Sequence, residues 1–201
     1  MAHYFITGAS SGIGAALAVQ LTTAGHQVSA VARRQQRLAA LSEQLDAFHG
    51  YVADVGDAES LATAIDKAKA KSGAIDVAIL NAGIYQPQDG IKIDPQIYAN
   101  HMTINYLGVV NALAGLVPDM VREGEGHIAI VSSVAGWRGL PKSAAYGPTK
   151  AALISLAESL YFDLVPHGLK IQVICPGFVD SEATAVNDFE MPDLILSLIH
   201  I

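Results

Sequence analysis

The stretch Thr7-Gly8-Ala9-Ser10-Ser11-Gly12-Ile13-Gly14 decides the fold. It directly follows the apolar run Tyr4–Thr7 and precedes a segment whose apolar residues lie three and four apart, so it joins a strand to a helix. Glycines let the backbone turn tightly and approach a pyrophosphate, and the helix N-terminus offers free N–H groups and a positive dipole end. The turn therefore predicts a dinucleotide site, with contacts from Gly8, Ser10, Ser11, Gly12, Ile13 and Gly14.

Two other interpretations of this turn remain open. Its glycines are spaced G-x-x-x-G-x-G, which departs from the commoner G-x-G-x-x-G, so an ordinary tight turn would explain the same residues. Gly8 to Gly12 also matches G-x-S-x-G, the nucleophile elbow of α/β-hydrolases. That elbow follows several strands, whereas only seven residues precede Gly8, and the hydrolase interpretation is therefore disfavoured.

Short apolar runs and helix-length segments alternate along the chain. Because the runs are nearly continuous, both faces of the sheet are expected to be covered, which is typical of parallel strands. The sequence thus predicts one doubly wound α/β domain over residues 1–201, with three layers and about six strands. The predicted strands are Tyr4–Thr7, Gln27–Ala32, His49–Ala53, Ile75–Leu80, His127–Ser132 and Lys170–Cys175.

Composition excludes several classes of protein. The chain has 201 residues, 51% of them hydrophobic and 15% charged, which is enough to bury a core and rules out disorder. Its 12 basic and 19 acidic residues give a net charge of −7 without a basic cluster, so nucleic acid is an unexpected partner. The single Cys175 permits no internal disulfide, and the seven histidines show no metal-site spacing.

No charged residue precedes Arg33, which invites a signal-peptide or membrane interpretation of the N-terminus. The glycines and serines of residues 8–14 break the apolar run too early for either. We therefore expect a cytoplasmic protein that does not bind membranes.

Arg33 and Arg34 follow the second predicted strand, where dinucleotide sites place a ribose-binding acid. Ala32 occupies the position at which an acid would repel a 2′-phosphate, and Arg33 offers that phosphate a planar guanidinium group. NADP is therefore favoured over NAD. Alternatively, these arginines and Arg37 form only a solvated helix start.

Ser133, Tyr146 and Lys150 form a candidate catalytic group. Tyr146 and Lys150 are four residues apart and share a helix face if the helix begins near Gly147, where Pro148 is tolerated. A neighbouring ammonium group favours a phenolate, so we expect Lys150 to lower the pKa of Tyr146 toward the working range of an acid/base catalyst.

At these residues the chain resembles the short-chain dehydrogenase/reductase family. The resemblance extends from Tyr4 to about Ser181, and these motifs together are specific. They are Thr7-Gly8-x-x-x-Gly12-Ile13-Gly14, Asp54, Asn81-Ala82-Gly83, Asn105, Ser133, Tyr146-x-x-x-Lys150 and Pro176-Gly177.

The resemblance implies a role for each matching position. Tyr146 is the expected acid/base, Lys150 its pKa modulator and ribose ligand, Ser133 the donor to the substrate carbonyl, and Asn105 the support of a proton relay. Expected cofactor contacts, besides the glycine turn, are Arg33, Arg34, Asp54, Val55, Asn81, Ala82, Gly83, Tyr146, Lys150, Pro176, Gly177 and Val179. Taken singly, most of these residues also have ordinary structural explanations as caps or turn residues.

The implied reaction is hydride transfer between NADP(H) and a small carbonyl or alcohol substrate. An NADPH-binding sensor or scaffold without turnover is the alternative. Resemblance to the family also implies a homodimer or homotetramer, through long helices near Met102–Val121 and Ala151–Val165.

The match weakens after Pro176-Gly177, and Ser181 stands where the family commonly has threonine. We expect the substrate-covering segment to begin near residue 177 and the C-terminus to be shortened, without the family's seventh strand. The apolar, uncharged stretch Leu194–Ile201 is too early and too short for that strand.

Overall fold

The main sheet has six parallel strands in the order β3-β2-β1-β4-β5-β6. A computed structural model of the chain describes residues 1–182, 184–185, 191 and 194–196. The strands are β1 His3–Thr7, β2 Gln27–Ala32, β3 Phe48–Val52, β4 Val77–Leu80, β5 Gly126–Val131 and β6 Leu169–Ile174. The doubly wound sheet predicted from the sequence is confirmed, and its strand ends differ from the predicted ones by at most two residues.

Helices connect the strands and cover both faces of the sheet. They are α1 Gly12–Thr23, α2 Gln35–Gln44, α3 Ala58–Ser72, α4 Pro95–His101, α5 Gly108–Glu123 and α6 Gly147–Leu164. A π-helical segment, Met102–Leu107, joins α4 to α5, and short 3-10 turns occur at Val134–Gly136 and Val165–His167. The helix predicted to begin near Gly147 does so, with Pro148 in its first turn.

The sheet separates two apolar clusters. One contains Leu61 of α3, Leu116 of α5 and Ile128 of β5, and the other contains Ala18 of α1 and Leu38 of α2. Fully burying an aliphatic side chain of this size contributes roughly 1.5–3 kcal/mol before the entropy cost of folding is subtracted. Burial on both faces explains why the strands are continuous apolar runs rather than alternating patterns.

The helical stretch 95–123 is, within the described part of the chain, long and apolar enough by length and composition to cross a membrane. Its C-terminal part, α5, contributes Leu113, Leu116 and Met120 to the core beside α3. A core helix passes the same test of length and hydropathy, so the finding does not by itself indicate a membrane span.

Two very short strands lie outside the main sheet. Val179–Asp180 (β7) pairs in parallel with Ile195–Leu196 (β8). Among the described residues, β6 is the last strand along the chain that belongs to the main sheet. The predicted apolar tail 194–201 is described only as far as residue 196.

Candidate active site

The carboxyl ends of the parallel strands open into one cavity of about 500 Å³. This is the edge where open α/β sheets bind ligands, because the loops after β1 and β4 diverge there. The cavity is lined by 18 of the 20 residues that the sequence nominated. They are Gly8, Ser10, Ser11, Gly12, Ile13, Arg33, Arg34, Asp54, Val55, Asn81, Ala82, Gly83, Ser133, Tyr146, Lys150, Pro176, Gly177 and Val179.

The remaining two nominated residues, Gly14 and Asn105, are not on the cavity wall. A Cβ atom at Gly14 would lie 2.5 Å from the carbonyl oxygen of Gly8, so Gly14 lets the helix pack closely against the turn. The predicted contact of Gly14 with the cofactor stays a prediction. Asn105 is fully buried behind the wall.

The glycine turn has the backbone that an anion cradle needs. Gly8 and Gly12 have φ values of +76° and +54°, a region that side chains disfavour. A Cβ atom at Gly8 would also lie 2.8 Å from the Cα atom of Ala82. The Ser11 side chain does not cap the N-terminus of α1, and a helix N-terminus of this kind can bind a phosphate.

Asn81 braces the turn from the neighbouring strand. Its side-chain amide donates to the carbonyl oxygens of Thr7 and Gly8, at 3.1 and 3.4 Å. The Thr7 hydroxyl in turn accepts from the backbone N–H groups of Asn81 and Ala82. These bonds fasten the end of β4 to the end of β1 and fix the shape of the cradle.

Arg33 and Arg34 face different parts of the cavity. Arg33 lies 3.6 Å from the carboxylate of Asp54, whose other oxygen accepts from the Gly56 N–H. Arg34 instead donates to the hydroxyl groups of Ser10 and Ser11 in the glycine turn. The sequence favoured Arg33 as the phosphate ligand, whereas the geometry places Arg34 on the cradle.

Ser133, Tyr146 and Lys150 meet at the other end of the cavity. Ser133 follows β5 and forms a side-chain hydrogen bond with Tyr146, which immediately precedes α6. The Lys150 ammonium group donates to the carbonyl oxygen of Val131 at 2.9 Å and lies 5.5 Å from the centroid of the Tyr146 ring. The Ser132 hydroxyl donates to the Lys150 carbonyl oxygen at 2.8 Å and ties the strand end to the helix.

The pKa of Tyr146 differs in direction from the sequence expectation. Burial raises this pKa to about 12; the hydrogen bond from Ser133 opposes the rise and the nearby Tyr85 adds to it. Burial also lowers the pKa of Lys150 to about 8. Lys150 does not offset the rise in the pKa of Tyr146, and its ammonium group donates to the Val131 carbonyl oxygen.

Asn105 supports the cavity wall through three hydrogen bonds. Its side-chain oxygen accepts from the Ile84 N–H at 2.7 Å, and its amide donates to the Ile84 carbonyl and the Thr149 hydroxyl. It lies in the π-helical segment, the kind of helix irregularity at which the resemblance placed it. Its side chain therefore connects this segment, the loop after β4 and α6.

A sequence model described as short chain dehydrogenase matches residues 2–191. The chain belongs to the short-chain dehydrogenase family. It is an NAD(P)-dependent oxidoreductase of that family, acting on alcohol and carbonyl groups.

Individual relatives of this short-chain dehydrogenase agree with the assignment. An uncharacterized oxidoreductase of Myxococcus xanthus is 37% identical over 194 residues, which cover 94% of this chain and 77% of the relative. A 3-oxoacyl-(acyl-carrier-protein) reductase of Staphylococcus aureus is 32% identical, with 96% and 81% covered. A short-chain dehydrogenase from Streptomyces avermitilis superimposes with a TM-score of 0.85 at 30% identity, covering 90% of this chain and 67% of that one.

Sequence reasoning missed several cavity residues of this short-chain dehydrogenase. Tyr85 stacks edge-to-face on Tyr146 with ring centroids 5.2 Å apart. Glu182 reaches the cavity from the segment after β7 and pairs with Arg34. Neither contact has a local signal, because each joins residues far apart in the chain. The other missed lining residues are Val31, Ala53, Ile84, Ile104, Val131, Ser132, Ser181 and Thr184.

Proposed function

We propose that this short-chain dehydrogenase uses NADP(H) to interconvert a small carbonyl compound and the corresponding alcohol, with Tyr146 as the acid/base. The observation that carries the proposal is the layout of one cavity. Ser133 and Tyr146 are hydrogen-bonded at one end, and Arg34 lies on the glycine cradle at the other. A dinucleotide spanning the cavity would therefore meet a phosphate cradle and a proton donor together.

The bound nicotinamide would supply or accept the hydride at the substrate carbon. In reduction, Tyr146 gives its phenolic proton to the carbonyl oxygen as negative charge develops there. Ser133 places a second hydroxyl group at the same oxygen and holds the phenol in position. In oxidation, the same phenol oxygen takes the proton from the alcohol.

The pKa directions support reduction at neutral pH. With a pKa of about 12, Tyr146 keeps its proton and acts as a donor, whereas alcohol oxidation needs the phenolate. Lys150, with a pKa of about 8, is mostly protonated at pH 7 and lies near enough to stabilise the phenolate that reduction leaves. Oxidation is therefore expected to speed up as the pH rises.

The preference for NADP rests on the two arginines after β2. Arg34 is held on the glycine turn by Ser10 and Ser11, and Arg33 lies beside Asp54. A guanidinium group at this end of the cavity matches the geometry and charge of a 2′-phosphate. Ala32 leaves the end of β2 without the carboxylate that would repel it.

Self-association is part of the proposal. Tyr161 and Phe162, which stack on each other on α6, have 52% and 76% of their surfaces exposed. Met102 and Leu107 of the π-helical segment are also exposed. Large apolar side chains on helices predicted to form contacts between copies favour a homodimer or homotetramer.

The function is tested by mixing the protein with NADPH and a panel of ketones, aldehydes and quinones. Loss of the nicotinamide absorbance with at least one carbonyl compound is the expected result, and the same assay with NADH should be slower. Binding of NADPH without oxidation by any member of a broad panel would contradict the proposal and favour a sensor or scaffold.

A further inference from the structure

The arginines proposed to read the cofactor are held by a carboxylate from elsewhere in the chain. One oxygen of Glu182 lies 2.7 Å from a terminal nitrogen of Arg34, and the other lies 2.7 Å from Arg37. The remaining nitrogens of Arg34 donate to Ser10 and Ser11. The Arg34 guanidinium thus binds the glycine turn on one side and Glu182 on the other.

Glu182 belongs to a turn that crosses the cavity, residues 181–182 and 184–185. The Thr184 hydroxyl donates to the Val179 carbonyl at 2.6 Å and accepts from the Ser181 N–H at 3.1 Å, which fixes this turn beside β7. Ser181 packs over the cradle, since a Cβ atom at Gly12 would lie 3.3 Å from the Ser181 Cβ. The turn therefore connects the end of the cavity near Gly177 to the arginines.

We propose that Glu182 is a cofactor-specificity residue, whose carboxylate occupies the Arg34–Arg37 pair that the 2′-phosphate of NADP would use. The inference rests on the proposed function, because it takes Arg34 as a ligand of that phosphate. NADP must displace the carboxylate from the guanidinium groups before its phosphate can bind them. NAD has no 2′-phosphate and leaves both ion pairs intact, so Glu182 weakens NADP binding selectively.

The charges of Arg34, Arg37 and Glu182 favour competition between the Glu182 carboxylate and the 2′-phosphate. Hydrogen bonds from Arg34, followed by those from Arg37, keep the pKa of Glu182 below its usual value, so the carboxylate is ionised at neutral pH. A phosphate monoester carries up to two negative charges at pH 7 and binds guanidinium groups in the same bidentate way. A carboxylate left beside that phosphate would repel it, which gives a second reason for Glu182 to move when NADP binds.

The exposure of the three side chains to solvent limits how strongly Glu182 can weaken NADPH binding. The side chains of Arg34, Arg37 and Glu182 are 43%, 50% and 52% exposed, and ion pairs at such positions contribute little free energy. Removing the carboxylate charge is therefore expected to tighten NADPH binding by about 3- to 10-fold. NADH binding should change by less than about twofold, because it involves no competing phosphate.

The test compares dissociation constants of NADPH and NADH, measured by titration of cofactor fluorescence at one fixed ionic strength. The variants are Glu182→Gln, which keeps the shape and removes the charge, Glu182→Ala as a second version, and Arg34→Ala. Glu125→Gln is the matched control, since Glu125 is exposed just before β5 at the opposite edge of the sheet. The expected result is tighter NADPH binding in both Glu182 variants, weaker NADPH binding in Arg34→Ala, and no change in the control.

The outcomes separate this inference from the proposed function. If Arg34→Ala weakens NADPH binding but both Glu182 variants leave it unchanged or weaken it, the competition is wrong and the NADP preference stands. Equal tightening of NADPH and NADH would also overturn it, because the carboxylate would then obstruct any dinucleotide. An unchanged NADPH affinity in Arg34→Ala would overturn this inference and Arg34 as a ligand of the 2′-phosphate, whereas the assay with carbonyl compounds would still test the proposed hydride transfer.

Discussion

Tyr146 and Lys150 show how burial sets the chemistry of single residues. Folding buries both side chains away from water, and burial disfavours the charged form of each group. The pKa of Tyr146 therefore rises to about 12, and the pKa of Lys150 falls to about 8. The protein therefore holds the phenol protonated while its neighbouring amine titrates closer to neutrality. A protonated Tyr146 beside an amine that titrates near neutral pH suits a proton donor, because the phenol must regain its proton after each reaction.

The pKa of Lys150 predicts a pH-dependent stability. The lysine holds its proton up to about pH 10.5 when unfolded but loses it near pH 8 in the fold, so the unfolded chain binds more protons between these values. The free energy of unfolding of the wild type, minus that of Lys150→Met, should therefore rise from pH 8 to pH 10. Thermal or denaturant unfolding of both proteins across this range measures the difference, and a flat or falling difference would show that Lys150 is not so perturbed.

At the scale of elements, the site depends on how closely strands and helices approach one another. The turn after β1 packs between α1 and the end of β4, and a Cβ atom at Gly8 or Gly14 would lie less than 3.0 Å from a neighbouring backbone atom. The brace from Asn81 then holds β1 and β4 together at this point. Small displacements of α1 should therefore affect both folding and cofactor binding.

Gly14→Ala tests this close approach. The added methyl group would lie 2.5 Å from the Gly8 carbonyl oxygen, so α1 must shift. We expect a loss of stability of roughly 1–3 kcal/mol together with weaker NADPH binding. Gly90→Ala is the control, because its methyl group meets nothing within 4 Å. Thermal unfolding and cofactor titration measure both effects, and wild-type behaviour of Gly14→Ala would argue against a tightly packed cradle.

The sequence predicted some elements better than others for physical reasons. Strands buried on both faces are continuous apolar runs, and their predicted ends differ from the structure by at most two residues. The π-helical segment around Asn105 has the apolar spacing of an ordinary helix, so periodicity could not reveal it. The start of α4 had a usable signal in Asp94 followed by Pro95, a cap and a first-turn proline.

The site residues likewise divide into those that the sequence predicts and those that it does not. The glycine turn, Ser133, Tyr146 and Lys150 are predictable because their spacing is local or follows strand ends. Tyr85 and Glu182 are not, since each acts through a partner more than sixty residues away. The pKa of Tyr146 was predicted in the wrong direction because its burial and the orientation of Lys150 depend on the whole fold.

At the scale of the whole molecule, the cavity and the proposed contact surface between copies lie at different places on the same domain. Its carboxyl edge forms the cavity, while α6 extends from that cavity to an exposed aromatic pair, Tyr161 and Phe162. Residues 1–201 were predicted to form a single domain whose substrate-covering segment begins near residue 177, and this remains a prediction. Contact between copies through α6 would bury the aromatic pair without closing the cavity edge.

Phe162→Glu tests self-association. A charge at the centre of an apolar contact must be desolvated, so the variant should shift toward monomer. Ile91→Glu is the control, because Ile91 is 90% exposed in the loop before α4. Sedimentation velocity at two concentrations should show an oligomer for the wild type and the control. A monomeric wild type, or an unchanged Phe162→Glu, would contradict the proposed interface.

The most direct test of the central claim is turnover by Tyr146→Phe, measured with NADPH and a carbonyl compound that the wild type reduces. Loss of the phenolic proton should lower the rate by about 10²- to 10⁴-fold, because no other group takes over general acid catalysis. NADPH affinity, titrated on the same preparation, should stay within about twofold, and Tyr98→Phe on α4 should behave as wild type. A Tyr146→Phe protein that keeps substantial turnover would contradict Tyr146 as the acid/base.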